Sequence, residues 1–555
     1  MNYHWQLLAK FTLDKNNYKN KLISILLKNR HITGKEAKIF INPPHPNKIS
    51  LKELGVSQEG VEKSKKRIIQ ARENKDQVIV YGDYDADGLC STAIVWETLY
   101  QNGLKILPFI PDRIKDGYGL KPQKVKELKD KLPDLRLIIT VDNGITAFQG
   151  VEQAKELGID VITIDHHLKL QDKYPQAYAL IHSPLVSATG LAWLWSRFWG
   201  IPDLGLAALA TIADVMPLVG ANRSFVKYGL PILQKTRRVG IRHLFQEAGI
   251  EKKVIDVFQV AFMLAPRLNA LGRVADPLDG LRLICTKRLE KGIDLAKLAN
   301  KINSQRQQMV EDGIFLAKEL IGKKLNPILI VENETYHKGI IGLIASKLTE
   351  EFYRPSLVIR KEKELSYGSA RSIDGIDIIS LLKKVGKFME ELGGHQKAAG
   401  FTLKTKYLPK IKERLLKIAQ KEIPDNLLTP TRVVDCEVKL SSLNLDFYNL
   451  VSKISPFGEG NPEPVFLARN LRVLSLTTVG KEGNHLKLTV DDPATPLVER
   501  IPAQAIGFQL GELASRILPG DFVDLLFSLT LDCWNGRQSL SLKIKDLKIS
   551  SQMIK

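Results

Sequence analysis

The chain has 555 residues, more than one hydrophobic core usually organises, so roughly three or four domains are expected. With 44% hydrophobic and 26% charged residues and no biased tract, the composition excludes a disordered or fibrous protein. The 81 Lys and Arg against 61 Asp and Glu leave a formal charge of +20, which points to a polyanionic partner, nucleic acid first, although a basic surface can also serve solubility alone.

Residues 1 to 75 read as a basic, mostly helical N-terminal extension with a Pro-rich break at INPPHPNK. From Gln77 onward, β-rich apolar runs (VIVY, KILPFI, LIIT, VITI) alternate with helical stretches, the pattern of βαβ units on a parallel sheet, and this predicts an α/β domain over 76–240. Residues 241–322 read as helical, ending in LEKGIDLAKLANKINSQRQQMVEDGIFLAKEL, which predicts a long connecting helix. A second, smaller α/β domain spans 323–424, from PILIVE through SLVIR to a Gly-rich stretch near Gly393. Residues 428–555 are rich in short strands and suit a small β-barrel such as an OB-fold, with Trp534-Asn535-Gly536-Arg537 as a hairpin turn between the last two strands. Trp534 and Phe508 are candidate stacking rings there, although such aromatics are more often core. Cys90, Cys285, Cys436 and Cys533 are widely spaced and form no CxxC pair, so no disulfide framework or zinc knuckle is suggested. No apolar run is long enough to span a membrane and no cleavable leader is visible, which sets the expectation of a cytoplasmic, soluble protein.

The sharpest feature is VIVYGDYDADGLCSTAIV, in which Asp83, Asp85 and Asp87 alternate directly after an apolar strand. Carboxylates this close repel one another unless a cation relieves them, and hard divalent ions such as Mg²⁺ or Mn²⁺ prefer oxygen ligands. The D-x-D-x-D-G start also matches an EF-hand loop, but the twelfth position is Ile94 rather than Glu and the preceding segment is a strand. LIITVDNG places Asp142 at the end of a second apolar run, and VITIDHH places Asp165, His166 and His167 at the end of a third. The carboxyl ends of strands in an open parallel sheet line one crevice, so these groups converge there. Asp214 in LATIADVMPL is a lone carboxylate in an apolar stretch and needs a partner or a metal. Each residue alone has an ordinary structural reading as a turn cap, a buried hydrogen bond or a surface histidine; together and in this order they favour a metal site.

The motifs D-x-D-x-D, VDNG, DHH and ADV resemble the signature of the DHH phosphoesterase superfamily. PDRIKDGYG, APRLNALGR, YHKGIIGLIASKL, GSARSIDG, GGHQKAAG and PFGEGNPEPVF extend the likeness to its single-stranded-DNA exonuclease branch over nearly the whole chain. The resemblance implies a DHH-type parallel-sheet domain, a connecting helix, a DHH-associated domain and an OB-like barrel. It further implies two Mn²⁺ or Mg²⁺ ions, one on Asp87, Asp142, His166 and Asp214 and the other on Asp83, Asp85 and Asp142, with Asp142 bridging and His167 against the scissile phosphate. Tyr81 stands where some members have a ligand histidine, and a phenol is a poor ligand near neutral pH, so it is left out of the set. By the same resemblance, Arg113, Arg267, Asn269, Arg273, His337, Ser369, Arg371, Ser372, Gly393, Gly394 and His395 bind substrate. The implied activity is 5′→3′ exonucleolytic hydrolysis of single-stranded DNA in recombination and repair, by a monomer acting beside a DNA helicase and a single-strand-binding protein. The rivals are an oligoribonuclease or cyclic-dinucleotide phosphodiesterase of the same superfamily, and a non-catalytic single-strand-binding scaffold.

Overall fold

The structure is a computed structural model that describes residues 3–113, 115–169, 173–250, 255–323, 325–534 and 537–550. The chain forms two compact units, one of residues 1–43, 217–220 and 430–555 and the other of residues 44–216 and 221–429.

The larger unit holds two sheets. The first has five parallel strands in the order Ile106–Phe109, Gln77–Tyr81, Leu135–Val141, Asp160–Asp165, Ala179–His182. Gln77–Tyr81 is buried at every position, as an apolar run covered on both faces must be. Helix Ala86–Gln101 follows it and helix Phe148–Glu156 follows the third strand, the βαβ alternation that the sequence pattern predicts. Helix Leu289–Ile321 then runs 33 residues, and the stretch expected to connect the lobes is continuous helix. The second sheet has the order Met389–His395, Ala398–Lys404, Leu365–Arg371, Ser356–Arg360, Leu329–Asn333; only the last two pair in parallel. Helix Leu408–Glu422 supplies Leu408, Ile411, Leu415 and Ala419 to its core.

In the smaller unit, strands Phe466–Val479, His485–Asp491, Ala503–Gly507, Arg537–Ile549 and Phe522–Trp534 pair in that order, and the last closes back on the first. This is a closed five-stranded barrel. Thr431–Val438 adds to the Phe466 strand, and His4–Leu13 pairs in parallel with Thr431–Val438. Helices Tyr18–Asn29 and Leu445–Ser452 pack into the barrel's core, with the Tyr18 and Phe447 rings 5.3 Å apart.

The N-terminus therefore differs from the expected helical extension over 1–75. Residues 4–13 are a strand, residues 1–43 belong with the barrel, and residues 44–75, including helix Gln58–Glu73, belong with the larger unit. Local pattern does not reveal this, because HWQLLAKFTL is exposed or half-buried at all but its last position, and its partner strand lies more than 400 residues away. The expected turn at Asn535-Gly536 and the Trp534 side chain lie outside what is described.

Candidate functional site

Three strands of the parallel sheet end side by side, and each delivers acid or imidazole at its carboxyl end. After Tyr81 the chain turns through Asp83 and Asp85 into helix Ala86–Gln101, with Asp85 as the N-cap accepting from the Asp87 and Gly88 amides at 3.0 and 3.1 Å. Position 88 must be glycine, because a Cβ there would sit 2.5 Å from the Asp83 carbonyl oxygen. Asp87 is buried, and its carboxylate accepts the Ala188 and Thr189 amides at 2.8 and 2.9 Å, the N-terminus of helix Ala188–Ser196. Asp142 leaves its strand at φ +62° while its amide donates to the Ile164 carbonyl of the next strand.

These side chains converge. His166 Nε2 lies 3.3 Å from Asp142, 3.6 Å from Asp214 and 3.8 Å from Asp87. Three overlapping sets have ligand atoms within 4.8 Å of one another: Asp87, His166 and Asp214; Asp83, Asp85 and Asp142; and Asp142, His166 and His167. Asp142 belongs to two of the sets, beside the carboxylates and beside the imidazoles. Burial, and then the neighbouring carboxylates, push Asp142 and Asp83 well above the usual carboxylate range and Asp214 up to about 8. Burial lowers His166. Asp142 Oδ1 and Asp83 Oδ1 are buried without a hydrogen-bond partner. Oxygen-rich, mutually repelling and short of donors, the cluster fits hard divalent cations.

Asp165, noticed in the sequence only as part of DHH, organises the histidine pair. Its Oδ1 accepts from the His166 amide at 2.8 Å, the His167 amide at 3.2 Å and His167 Nδ1 at 2.8 Å, and its Oδ2 accepts from the Ile145 amide at 2.9 Å. Against the cost of burial, the bond to Asp165 raises His167 to about 9. Tyr118, from PDRIKDGYG, donates to the Asp142 carbonyl at 3.3 Å and lies 3.2 Å from His167 Nδ1. Asn143 donates to the carbonyls of Tyr81, Gly82 and Val141, tying two strand ends together. Tyr81 is core: its ring stacks on Phe109 and its hydroxyl donates to the Gly119 carbonyl.

Cations gather beside the carboxylates. Helix Ala265–Val274 abuts the Asp83–Asp87 turn because Gly272 brings it against the Tyr84 carbonyl, where a Cβ would sit 2.1 Å away. Asn269 Oδ1 accepts the Ala86 amide at 2.7 Å, so Asn269 braces the acidic turn. Arg273, one turn on, donates to the Gly339 carbonyl; burial first, and then the nearby charge of Arg113, bring it down to about 10, with Arg306 and Arg371 adding to the repulsion. Burial and Arg113 also lower Arg371. Arg113 lies over the Tyr84 ring at 5.0 Å. The positive charges of Arg113, Arg306 and Arg371 thus all act on Arg273 near Asp85, an arrangement that an anion relieves. Arg306 was invisible in sequence, one Arg in a polar helix; its Nε is buried without a partner.

Other expected substrate residues have local partners. Arg267 donates to Asn300 and to the Met263 carbonyl, and Ser372 to the Ile376 carbonyl. Ser369 accepts from Arg371. His337 accepts the Gly339 amide, and burial lowers it. Gly393, Gly394 and His395 lie at the exposed end of edge strand Met389–His395, in register with Gly400, Ala399 and Ala398. Ser369 is in register with Gly400 on the other side, so these small residues form one strip across three strands.

Comparison with known proteins places this architecture. Residues 77–202 match the DHH family, N-terminal domain, residues 325–423 the DHHA1 domain, and residues 434–546 the RecJ OB domain. The single-stranded-DNA-specific exonuclease RecJ of Bacillus subtilis is 32% identical over 544 residues, covering 95% of this chain and 68% of that protein. The chain belongs to the RecJ family. RecJ of Escherichia coli is 30% identical, covering 88% of this chain and 90% of that one. The RecJ of Thermus thermophilus, solved in complex with Mn²⁺, superposes with a TM-score of 0.80 at 26% identity, over 98% of this chain and 79% of that structure.

Proposed function

We propose that this protein is a metal-dependent exonuclease that hydrolyses single-stranded DNA from its 5′ end, with two Mn²⁺ or Mg²⁺ ions. The observation that carries this reading is the overlap of the ligand sets at Asp142. Asp87, His166 and Asp214, with Asp142 beside them, would hold one ion, and Asp83, Asp85 and Asp142 would hold the other. When bound, such ions activate water and neutralise charge developing on the phosphate. The protein's own groups do the rest. Arg113, Arg273, Arg306 and Arg371 receive the phosphates of the strand's end, and the partial burial of Arg273 strengthens that attraction. His167, held by Asp165, faces the scissile phosphate. Asp165 and Tyr118 fix its ring, and Asn143 fixes the strand ends that carry the carboxylates.

The barrel adds affinity for longer strands: Phe508 is half exposed, its ring 5.1 Å from His485 and 5.8 Å from the Lys543 ammonium, a pairing suited to bases and phosphates. No helix among the described residues is long and apolar enough to cross a membrane. We place the enzyme in the cytoplasm as a monomer in recombination and repair, working beside a helicase and a single-strand-binding protein.

The test is product release from 5′-labelled and 3′-labelled single strands in Mn²⁺, with duplex and RNA controls and the Asp142→Ala variant. Labelled mononucleotide appearing first from the 5′ label, and lost in the variant, supports the proposal. Cleavage of short RNA alone moves the chain to the oligoribonuclease reading; strand binding without cleavage makes it a scaffold.

A further inference from the structure

Helix Ala86–Gln101 begins at the metal site, but its last two turns face a different cavity. Trp96 is nine residues beyond Asp87, about 14 Å along the helix axis. The cavity has a volume of about 660 Å³ and is lined by Trp96 and Tyr100 together with Lys235, Arg237 and Lys287. A second cavity of about 480 Å³ shares Trp96, Cys285 and Thr286 with it and adds Pro108, Leu278 and Leu281. None of the metal-site residues or the clustered arginines lines either one.

The charges in the wall do not cancel. Glu97 and Asp203 are both engaged by Arg238, at 2.7 Å each. Among the described residues no carboxylate pairs with the exposed Lys235, Arg237 or Lys287, so the rim keeps an uncompensated positive charge. The floor is aromatic: the Trp96 and Tyr100 rings are 6.0 Å apart, and Tyr100 is 62% exposed. The Trp96 Nε1–H is shut off from solvent without an acceptor, a deficit that an acceptor entering beside the indole relieves after a small shift of the ring. Pro108, Leu278 and Leu281 give the second cavity apolar lining next to Trp96, and Arg282 and Lys291 add further positive charge to it. A ligand that satisfies this surface has a flat, apolar-faced ring with acceptor atoms at one end and an anion at the other, and a cavity of this size accommodates one small molecule.

We propose that this cavity is a second nucleotide site, distinct from the catalytic cleft, in which a base lies against Trp96 and its phosphate meets Lys235, Arg237 and Lys287. A free nucleoside phosphate and a nucleotide within a DNA strand share this chemistry.

The experiment is isothermal titration of the full-length protein in EDTA with dAMP, with inorganic phosphate and with a short oligodeoxyadenylate. The proteins compared are the wild type, Lys235→Glu/Arg237→Glu, Trp96→Phe, and Arg273→Gln, which weakens the catalytic cleft instead. The expected result is two dAMP binding events in the wild type. The doubly reversed variant weakens one of them by tenfold or more, Trp96→Phe weakens the same one, and Arg273→Gln weakens only the other. Metal-dependent nuclease activity is unchanged in the first two variants. Tighter binding of the oligodeoxyadenylate at this site identifies a strand as the source, and binding of dAMP alone identifies a free nucleotide. A single dAMP event abolished by Arg273→Gln, or inorganic phosphate binding here as well as dAMP, overturns the proposal.

Discussion

Replacing Asp165 by Asn keeps the size of the side chain and changes only what its two terminal atoms can accept. The carboxylate takes three donors on Oδ1, the His166 and His167 amides and His167 Nδ1, and one donor on Oδ2, the Ile145 amide. An amide oxygen can face only one of these groups. Turned toward the histidines, it leaves the Asn NH₂ against the Ile145 N–H, a buried donor with no acceptor, at a cost of about 1–3 kcal/mol. The three remaining bonds lose their charge assistance, roughly half the strength of each, for about another 1–2 kcal/mol in total. The sum is a loss of about 2–5 kcal/mol in unfolding free energy, read from urea denaturation. Function suffers separately, because the ring of His167 loses its anchor, and a displacement of about 1 Å at a reacting centre can cost on the order of 100-fold. The expected kinetic signature is a fall in kcat of that size with little change in KM, since the arginines that bind the strand are untouched. A variant within about 0.5 kcal/mol of the wild type with unchanged kcat would refute the positioning role of Asp165.

Gly88→Ala puts a methyl group 2.5 Å from the Asp83 carbonyl oxygen; the acidic turn must move, at about 1–3 kcal/mol, and Mn²⁺ affinity by calorimetry is expected to drop at least about tenfold, whereas unchanged affinity contradicts the packing argument. Arg273→Gln removes one cation from the cleft, so strand binding weakens and the slope of log affinity against log salt becomes shallower by about 0.7; an unaltered slope shows that Arg273 meets no phosphate. Val215, next to Asp214, is a β-branched residue held at φ +55° and 65% exposed; Val215→Gly relieves strain of about 1–2 kcal/mol and is expected to raise the unfolding midpoint, while a lowered midpoint means that its side chain makes a contact of greater worth. Removing residues 430–555 alone strips His4–Leu13 of its partner strand and opens the core around Tyr18–Asn29, so that truncation is expected to aggregate; deleting residues 1–43 as well is expected to restore a soluble chain, and equal solubility of the two truncations contradicts this.

The catalytic half was legible because its signals are local. An apolar run followed directly by Asp-x-Asp-x-Asp fixes a strand end, and VDNG and DHH repeat that grammar on the neighbouring strands. Contacts made across the chain were not legible. Asn269 accepts the Ala86 amide, 183 residues away, a bracing role that its motif does not reveal. Arg306 sits in a helix whose polar pattern is that of any solvated surface, and its proximity to Arg267 and Arg273 exists only once helix Leu289–Ile321 packs beside Ala265–Val274. The strand at His4–Leu13 is likewise defined by a partner and not by its own pattern. The orienting role of Asp165 is legible in principle, since a buried acid directly before two histidines is placed to orient them.

The central claim is that one carboxylate, Asp142, joins two cation sites. It is tested most directly by anomalous diffraction from crystals of the protein grown with Mn²⁺. Two manganese peaks are expected, one among Asp87, His166, Asp214 and Asp142 and the other among Asp83, Asp85 and Asp142, both lost in Asp142→Ala. A single peak, or two that survive the loss of Asp142, would contradict it.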